Sequence, residues 1–138
     1  MDATLKLEII TPEATTFSEN VDMVTLPGVE GEMGIYPQHV PLMTEVVPGE
    51  VIVRQGSREF SLVIGGGFAE ITDIRVAILT DMAIKADDVD EAKAEEARQA
   101  AEARLREKLS PDEVASVNAA MARSLAQLQV KRRHRPHS

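Results

Sequence analysis

With 138 residues, 43% hydrophobic content, 3% aromatic residues and no Trp, the chain can bury one modest core; one compact domain with an appendage therefore fits better than two full domains. The absence of cysteine excludes a disulfide framework, a thiolate metal site and a thiol nucleophile. A net charge of -8 and a pI near 4.9 argue against general affinity for nucleic acid or an anionic membrane, with one local exception, the basic block Lys131-Arg132-Arg133-His134-Arg135. The first residues lack the basic start and apolar run of a secretion signal. No stretch approaches the ~20 apolar residues of a membrane-spanning helix, so the chain is expected to be soluble by itself.

From Ala3 to about Ile84 the apolar residues recur with period two or in short runs. Leu5, Leu7 and Ile9 alternate with Lys6 and Glu8; Phe60, Leu62 and Ile64 alternate with Glu59, Ser61 and Val63; Val76 and Ile78 follow Arg75. This is the periodicity of strands with one face on a core. Many short strands separated by turn signals predict an antiparallel β-sandwich or flattened barrel, with Gln55-Gly56-Ser57-Arg58 as a hairpin turn.

Residues 26–51, LPGVEGEMGIYPQHVPLMTEVVPGEV, place Gly and Pro so densely that helix is excluded. Short extended pieces over residues 33–36 and 42–47, joined by tight turns, are expected instead. Two readings stay open for this stretch: a structural turn cluster, or a shaped surface presented to a partner. Further on, Gly65-Gly66-Gly67 is followed by Phe68-Ala69-Glu70 and not by the Lys-Ser/Thr that a phosphate loop needs. These glycines read as backbone that bends or packs closely between two strands.

The pattern changes at Lys85-Ala86-Asp87-Asp88. The following VDEAKAEEARQAAEARLREKL has no Gly or Pro and is built from strong helix formers, with Asp87 or Asp88 available as a cap. Ala94, Ala97, Ala101, Leu105 and Leu109 share one face, a stripe of mostly small side chains that allows close packing but supplies little apolar burial. Ser110-Pro111-Asp112-Glu113 then has the cap, the N1 proline and the returning carboxylate of a second helix start. Val114, Val117, Met121, Leu125 and Leu128 form its apolar face, so a helical hairpin with a very short turn is predicted. The chain thus divides into a β-sandwich over residues 1–86 and a helical hairpin with a basic tail over 87–138.

Catalysis finds little support. His39 alone among three histidines lies in the body, without a nucleophile context, and reads first as a turn residue with a solvated or hydrogen-bonded ring. The carboxylates between Asp87 and Glu107 alternate with Arg and Lys at helical spacing, the pattern of a solvated helix face and not of a metal site.

The motif LPGxEGxxGIxPxHxPL with PGxV shortly after, the GGGFAE run and the two-helix C-terminal third resemble the epsilon subunits of bacterial and chloroplast F-type ATP synthases over essentially the whole chain. The resemblance implies a non-catalytic part of the rotating central stalk, bound to the gamma subunit and seated on the ring of c subunits. It would couple ion translocation to ATP synthesis from a peripheral position on the cytoplasmic face of the bacterial inner membrane. Glu32 and His39 become candidate c-ring contacts. The hairpin would inhibit ATP hydrolysis by reaching the beta and alpha catalytic subunits, with Arg123, Lys131, Arg132, Arg133 and Arg135 as candidate contacts. Some relatives bind ATP through Ile/Leu-Asp-x-x-Arg-Ala; the matching Val89, Asp90, Lys93 and Ala94 put Lys where the family has Arg. Lysine lacks the planar two-pronged donor, so no ATP cofactor is expected. The alternative from periodicity alone is a generic β-sandwich interaction module with a helical tail.

Overall fold

The computed structural model describes residues 3–134. Ten strands come first: β1 (Leu5–Ile10), β2 (Thr15–Val21), β3 (Met23–Gly28), β4 (Gly31–Ile35), β5 (Leu42–Val46), β6 (Gly49–Gln55), β7 (Arg58–Ile64), β8 (Gly67–Ile71), β9 (Arg75–Thr80) and β10 (Ala83–Lys85). A 3₁₀ turn, Ala86–Asp88, leads to α1 (Glu91–Arg104) and α2 (Pro111–Arg133).

The strands form one sheet in the order β10-β7-β6-β3-β5-β8-β9-β1-β2, with β4 paired to β3, and the sheet folds over on itself. The edge strand β2 comes back to β6 where it runs into β3: the Asp22 amide donates to the Arg54 carbonyl at 2.8 Å, and the Gln55 side-chain amide donates to the Asn20 carbonyl at 2.8 Å. The ladders are antiparallel with one exception, the parallel pair of β1 with β9, in which Lys6 opposes Arg75 and Ile10 opposes Leu79. Glu8 accepts from Arg75 across this pair at 2.8 Å. The two-residue Gly56-Ser57 turn joins β6 to β7 as expected, Gly56 taking a φ of +64° that favours glycine.

The main core follows the period-two pattern: Leu5, Leu7, Ile9, Phe17, Val24, Leu26, Val51, Val53, Leu62, Ile64, Ile71, Val76 and Ile78 all lie inside the sandwich. Strand β7 departs from simple alternation, because Ser61 and Val63 are buried as well. Their side chains lie on the outer face, which α2 covers. A second, smaller cluster results, in which Val63, Ala86 and Val89 meet Ala126 and Val130 of α2.

The helices differ from expectation in three respects. The cap of α1 is Asp90, whose carboxylate accepts from the Lys93 amide at 3.1 Å; Asp87 and Asp88 belong to the 3₁₀ turn before it. α1 also stops at Arg104, well short of Leu109, because the chain tightens into successive turns whose Arg106 and Glu107 amides donate three residues back. The connection is therefore residues 105–110, longer than the very short turn predicted. Ser110 and Glu113 then form the full capping box at 3.1 and 3.2 Å.

Thirdly, the buried faces are rotated. In α1, Ala94 and Ala101 are buried but Ala97 and Leu105 are exposed. In α2, Val114 and Leu125 are exposed, whereas Ser124, Ala126, Leu128 and Val130 are buried. Helix geometry explains the pattern: residues two apart lie about 200° round the helix, so Ser124 and Leu128 face away from Ala126 and Val130. α2 packs on α1 with one line and on the sheet with the other. Sequence periodicity looks for one apolar stripe and misses a helix buried on two sides.

Candidate functional site

Two regions carry the residues singled out by sequence. The first is the turn-rich segment around β4. Gly31, at a φ of +126°, lets the chain reverse after Val29-Glu30, and Gly28 and Gly31 pair at the neck of this hairpin. Glu32 is exposed on β4, opposite Pro27, and lines an open concavity of about 390 Å³ with Met33, Leu42 and Thr44. His39 sits in the loop between β4 and β5, three residues before Leu42. Its Nδ1 lies 2.7 Å from the Val40 carbonyl, so the proton belongs on that nitrogen. The Gln38 amide donates to the Asp73 carbonyl at 2.7 Å, which ties this loop to the β8–β9 turn. Tyr36, Val40, Leu42 and Ile74 are exposed about the same loops. This end of the sandwich is an apolar, turn-built surface with Glu32 and His39 on it.

The second region is the α2 face toward the sandwich and α1. Each described basic residue singled out there is engaged by the chain itself. Arg123 pairs with Asp81 at 2.9 Å, the Lys131 ammonium donates to the Asp87 carbonyl at 3.1 Å, and Arg132 pairs with Glu91 at 3.1 Å. Arg133 reaches Glu50 of β6 at 3.0 Å, and His134 meets the other oxygen of the same carboxylate. Arg135 lies outside the described residues.

Glu50 was not visible as a site in the sequence. Register places it opposite Val63 on the outer face of the sheet, and its side chain is only 6% exposed. Burial pushes its carboxyl up, but hydrogen bonds from Ser61 and His134 and the Arg133 charge outweigh that and hold it below the ordinary 4.5. The signal available in sequence was a charged residue on a strand face with buried neighbours, and it needed the position of α2 to be read.

The Val89-Asp90-Lys93-Ala94 stretch is used for local structure. Val89 is in the second core, Asp90 caps α1, Ala94 is buried, and Lys93 is exposed. Along α1, Arg98 bridges Glu95 at 2.7 Å and Glu102 at 2.9 Å, pairing that raises the guanidinium pKa further. Among the described residues no group of three or more His, Asp or Glu could hold a metal ion.

The glycine run has a packing reason at two positions. A Cβ on Gly67 would stand 1.9 Å from the Leu79 carbonyl oxygen, and one on Gly65 would stand 1.9 Å from Asp81 Oδ1, the carboxylate that holds Arg123.

Two known families match the chain in succession. The family of the ATP synthase delta/epsilon chain β-sandwich domain matches residues 4–86, and that of the delta/epsilon chain long α-helix domain matches residues 87–132. The chain belongs to the ATP synthase delta/epsilon family. The ATP synthase epsilon chain of Dehalococcoides mccartyi is 44% identical over 136 residues, covering 98% of this chain and 97% of that one. That of Herpetosiphon aurantiacus is 42% identical over 131 residues, covering 95% and 96%. A chain in the Euglena gracilis mitochondrial ATP synthase, solved as OSCP, F1 and c-ring, superposes with a TM-score of 0.72 at 27% identity, over 96% of this chain and 82% of that one. A chain of the Tetrahymena thermophila mitochondrial central stalk and c-ring shares the fold, with a TM-score of 0.65 at 12% identity over 92% and 96%. As a delta/epsilon family member, the chain is a non-catalytic subunit of an ATP synthase. None of its described helices is long and apolar enough to cross a membrane.

Proposed function

We propose that this epsilon-type chain works in the central stalk in two parts divided at residues 86/87, a rigid coupling body and a regulatory hairpin. The sandwich binds the gamma subunit and meets the c ring with the end that bears Glu32 and His39. The hairpin restrains ATP hydrolysis when α2 leaves the sandwich for the beta and alpha subunits. The protein thereby couples ion flow to ATP synthesis from the cytoplasmic face of the bacterial inner membrane, as a peripheral component held there by the complex.

The observation that carries this reading is that different forces hold the two parts. The sandwich has a continuous core of large aliphatic side chains, whereas the hairpin rests on a smaller cluster of alanine and valine, with Met82 and Ile84 packed at its margin, ringed by ion pairs. The exposed pairs among them, Arg123 with Asp81 and Arg132 with Glu91, contribute about 0–1 kcal/mol each, so their partners can be exchanged. Arg123, Lys131, Arg132 and Arg133 can satisfy carboxylates of this chain or of a neighbour, and a second acidic surface competes for the same cations. The degenerate Val89-Asp90-Lys93-Ala94 motif acts as a helix start with no nucleotide required.

The test is reconstitution. Co-expression with gamma yields a complex that co-elutes on size exclusion, and deletion from Pro111 onward raises ATP hydrolysis by the reconstituted enzyme. Unchanged hydrolysis across nucleotide and salt conditions would leave coupling alone as the function.

A further inference from the structure

The ties between α2 and the rest of the chain are unequal. Asp81, the Asp87 carbonyl and Glu91 receive Arg123, Lys131 and Arg132 at the surface, where solvent screens each contact. Glu50 is different, since its side chain is nearly closed off from water. A carboxylate in that position stays charged only if partners replace its hydration. Ser61 supplies one hydrogen bond from within the sandwich; Arg133 and His134, the last described residues of the chain, supply the rest.

We infer that Glu50 is the catch of an ionic latch, which fastens the C-terminal end of α2 to β6 and, when neutralised, frees that end while the sandwich stays folded. The donors belong to the C-terminal end of α2 and the residue after it, and the carboxylate to the sheet, so the latch joins two bodies and stabilises neither alone. When α2 lifts, Glu50 keeps Ser61 and regains water, and the main core of the sandwich loses no contact, while Val63 on the outer face is uncovered. What remains to hold this end of α2 on the sheet is Ala126 and Val130 on Val63, Ala86 and Val89, with the partly buried Met82 and Ile84 at the margin, a cluster much smaller than the main core. The surface pairs cannot replace the latch, because breaking one leaves both partners solvated. Only its consequence in the assembled enzyme rests on the regulatory role proposed for the hairpin.

The absence of cysteine permits a clean test in the full chain. Cysteines introduced at Ser57, in the exposed β6–β7 turn, and at Gln129, exposed on α2, carry spin labels for distance measurement. The parent chain gives a single distance. Glu50→Gln adds a longer population and speeds amide exchange over residues 124–133 about tenfold, a factor equivalent to ~1.4 kcal/mol, with exchange in β6 and β7 unchanged. The double variant Arg133→Gln, His134→Gln alters no sandwich residue and must reproduce the effect. The latch is overturned if Glu50→Gln leaves the distances unchanged, if β6 and β7 loosen along with α2, or if the double variant stays closed. Release of α2 by Glu50→Gln in the isolated chain, with hydrolysis by the reconstituted enzyme unaltered, upholds the latch and removes the regulatory reading.

Discussion

Three consecutive glycines, Gly65, Gly66 and Gly67, face three different obstacles, so alanine at each gives a graded prediction. At Gly67 a Cβ meets main chain: the Leu79 oxygen at 1.9 Å, the Leu79 carbonyl carbon at 2.9 Å and the Thr80 Cα at 3.1 Å. None of these can rotate aside, and relief requires β8 and β9 to separate where Gly67 pairs with Thr80. The cost is expected at or above the ~1–3 kcal/mol of ordinary overpacking. At Gly65 the obstacle is the Asp81 carboxylate, which can turn away by giving up Arg123. That exposed pair contributes about 0–1 kcal/mol, so Gly65→Ala costs little and acts mainly on α2. At Gly66 the nearest atoms, Pro48 Cδ at 3.7 Å and the Val46 oxygen at 3.8 Å, are at ordinary contact distance. Gly66→Ala is therefore neutral or stabilising by up to ~1 kcal/mol through the unfolded chain. Urea denaturation followed by the β-sheet circular dichroism signal ranks the three. Equal losses at all positions, or a tolerated Gly67→Ala, would refute the assignment of the run to close packing between strands.

The acid dependence of docking follows from Glu50. Its folded pKa lies below the ordinary 4.5, so its contribution is complete above that value and is lost as pH falls through the folded pKa. Exchange protection of α2 should decline below pH 4.5 in the parent chain and change less in Glu50→Gln; equal declines would remove the carboxylate from the explanation. The rotated faces of α2 predict a contrast between two leucines. Leu128→Ala, at a residue 2% exposed, should cost ~2–4 kcal/mol of hairpin stability, and Leu125→Ala, at one 45% exposed, about 0.5 kcal/mol or less, by thermal melting of the helical signal.

Period-two alternation was sufficient for the sandwich because most strands there have one buried and one wet face. Strand β7 shows where that stops. Val63 looked like the solvent-facing partner of Leu62 and Ile64, and it is buried because Ala126 and Val130, more than sixty residues later, cover it. The same helix defeated the single-stripe reading of Leu125 and Leu128. The capping box at Ser110 was legible in full, since capping depends only on residues three apart. The start of α1 was less so, because Asp87, Asp88 and Asp90 are equivalent by type and only backbone geometry separates the 3₁₀ turn from the cap. Of the site, the basic residues stood out by charge, but Glu50 could not, because a lone glutamate on a strand carries no local sign of what will be laid across it.

The parallel pairing of β1 with β9 sets an order of events for the nascent chain. β1 finds its sequence neighbour β2 at once, but its other edge waits for a strand that begins at Arg75, and Lys6 cannot be paired on that side until almost the whole sandwich has been made. A contact of such sequence separation bears a large loop-closure entropy and forms late. The β6–β7 hairpin and the two helices, by contrast, rely on neighbours a few residues away and form quickly. α2 can therefore be helical before the surface bearing Glu50 and Val63 is complete, and its docking becomes the final step of folding, with the outer face of β6 and β7 open to wrong partners in the interval.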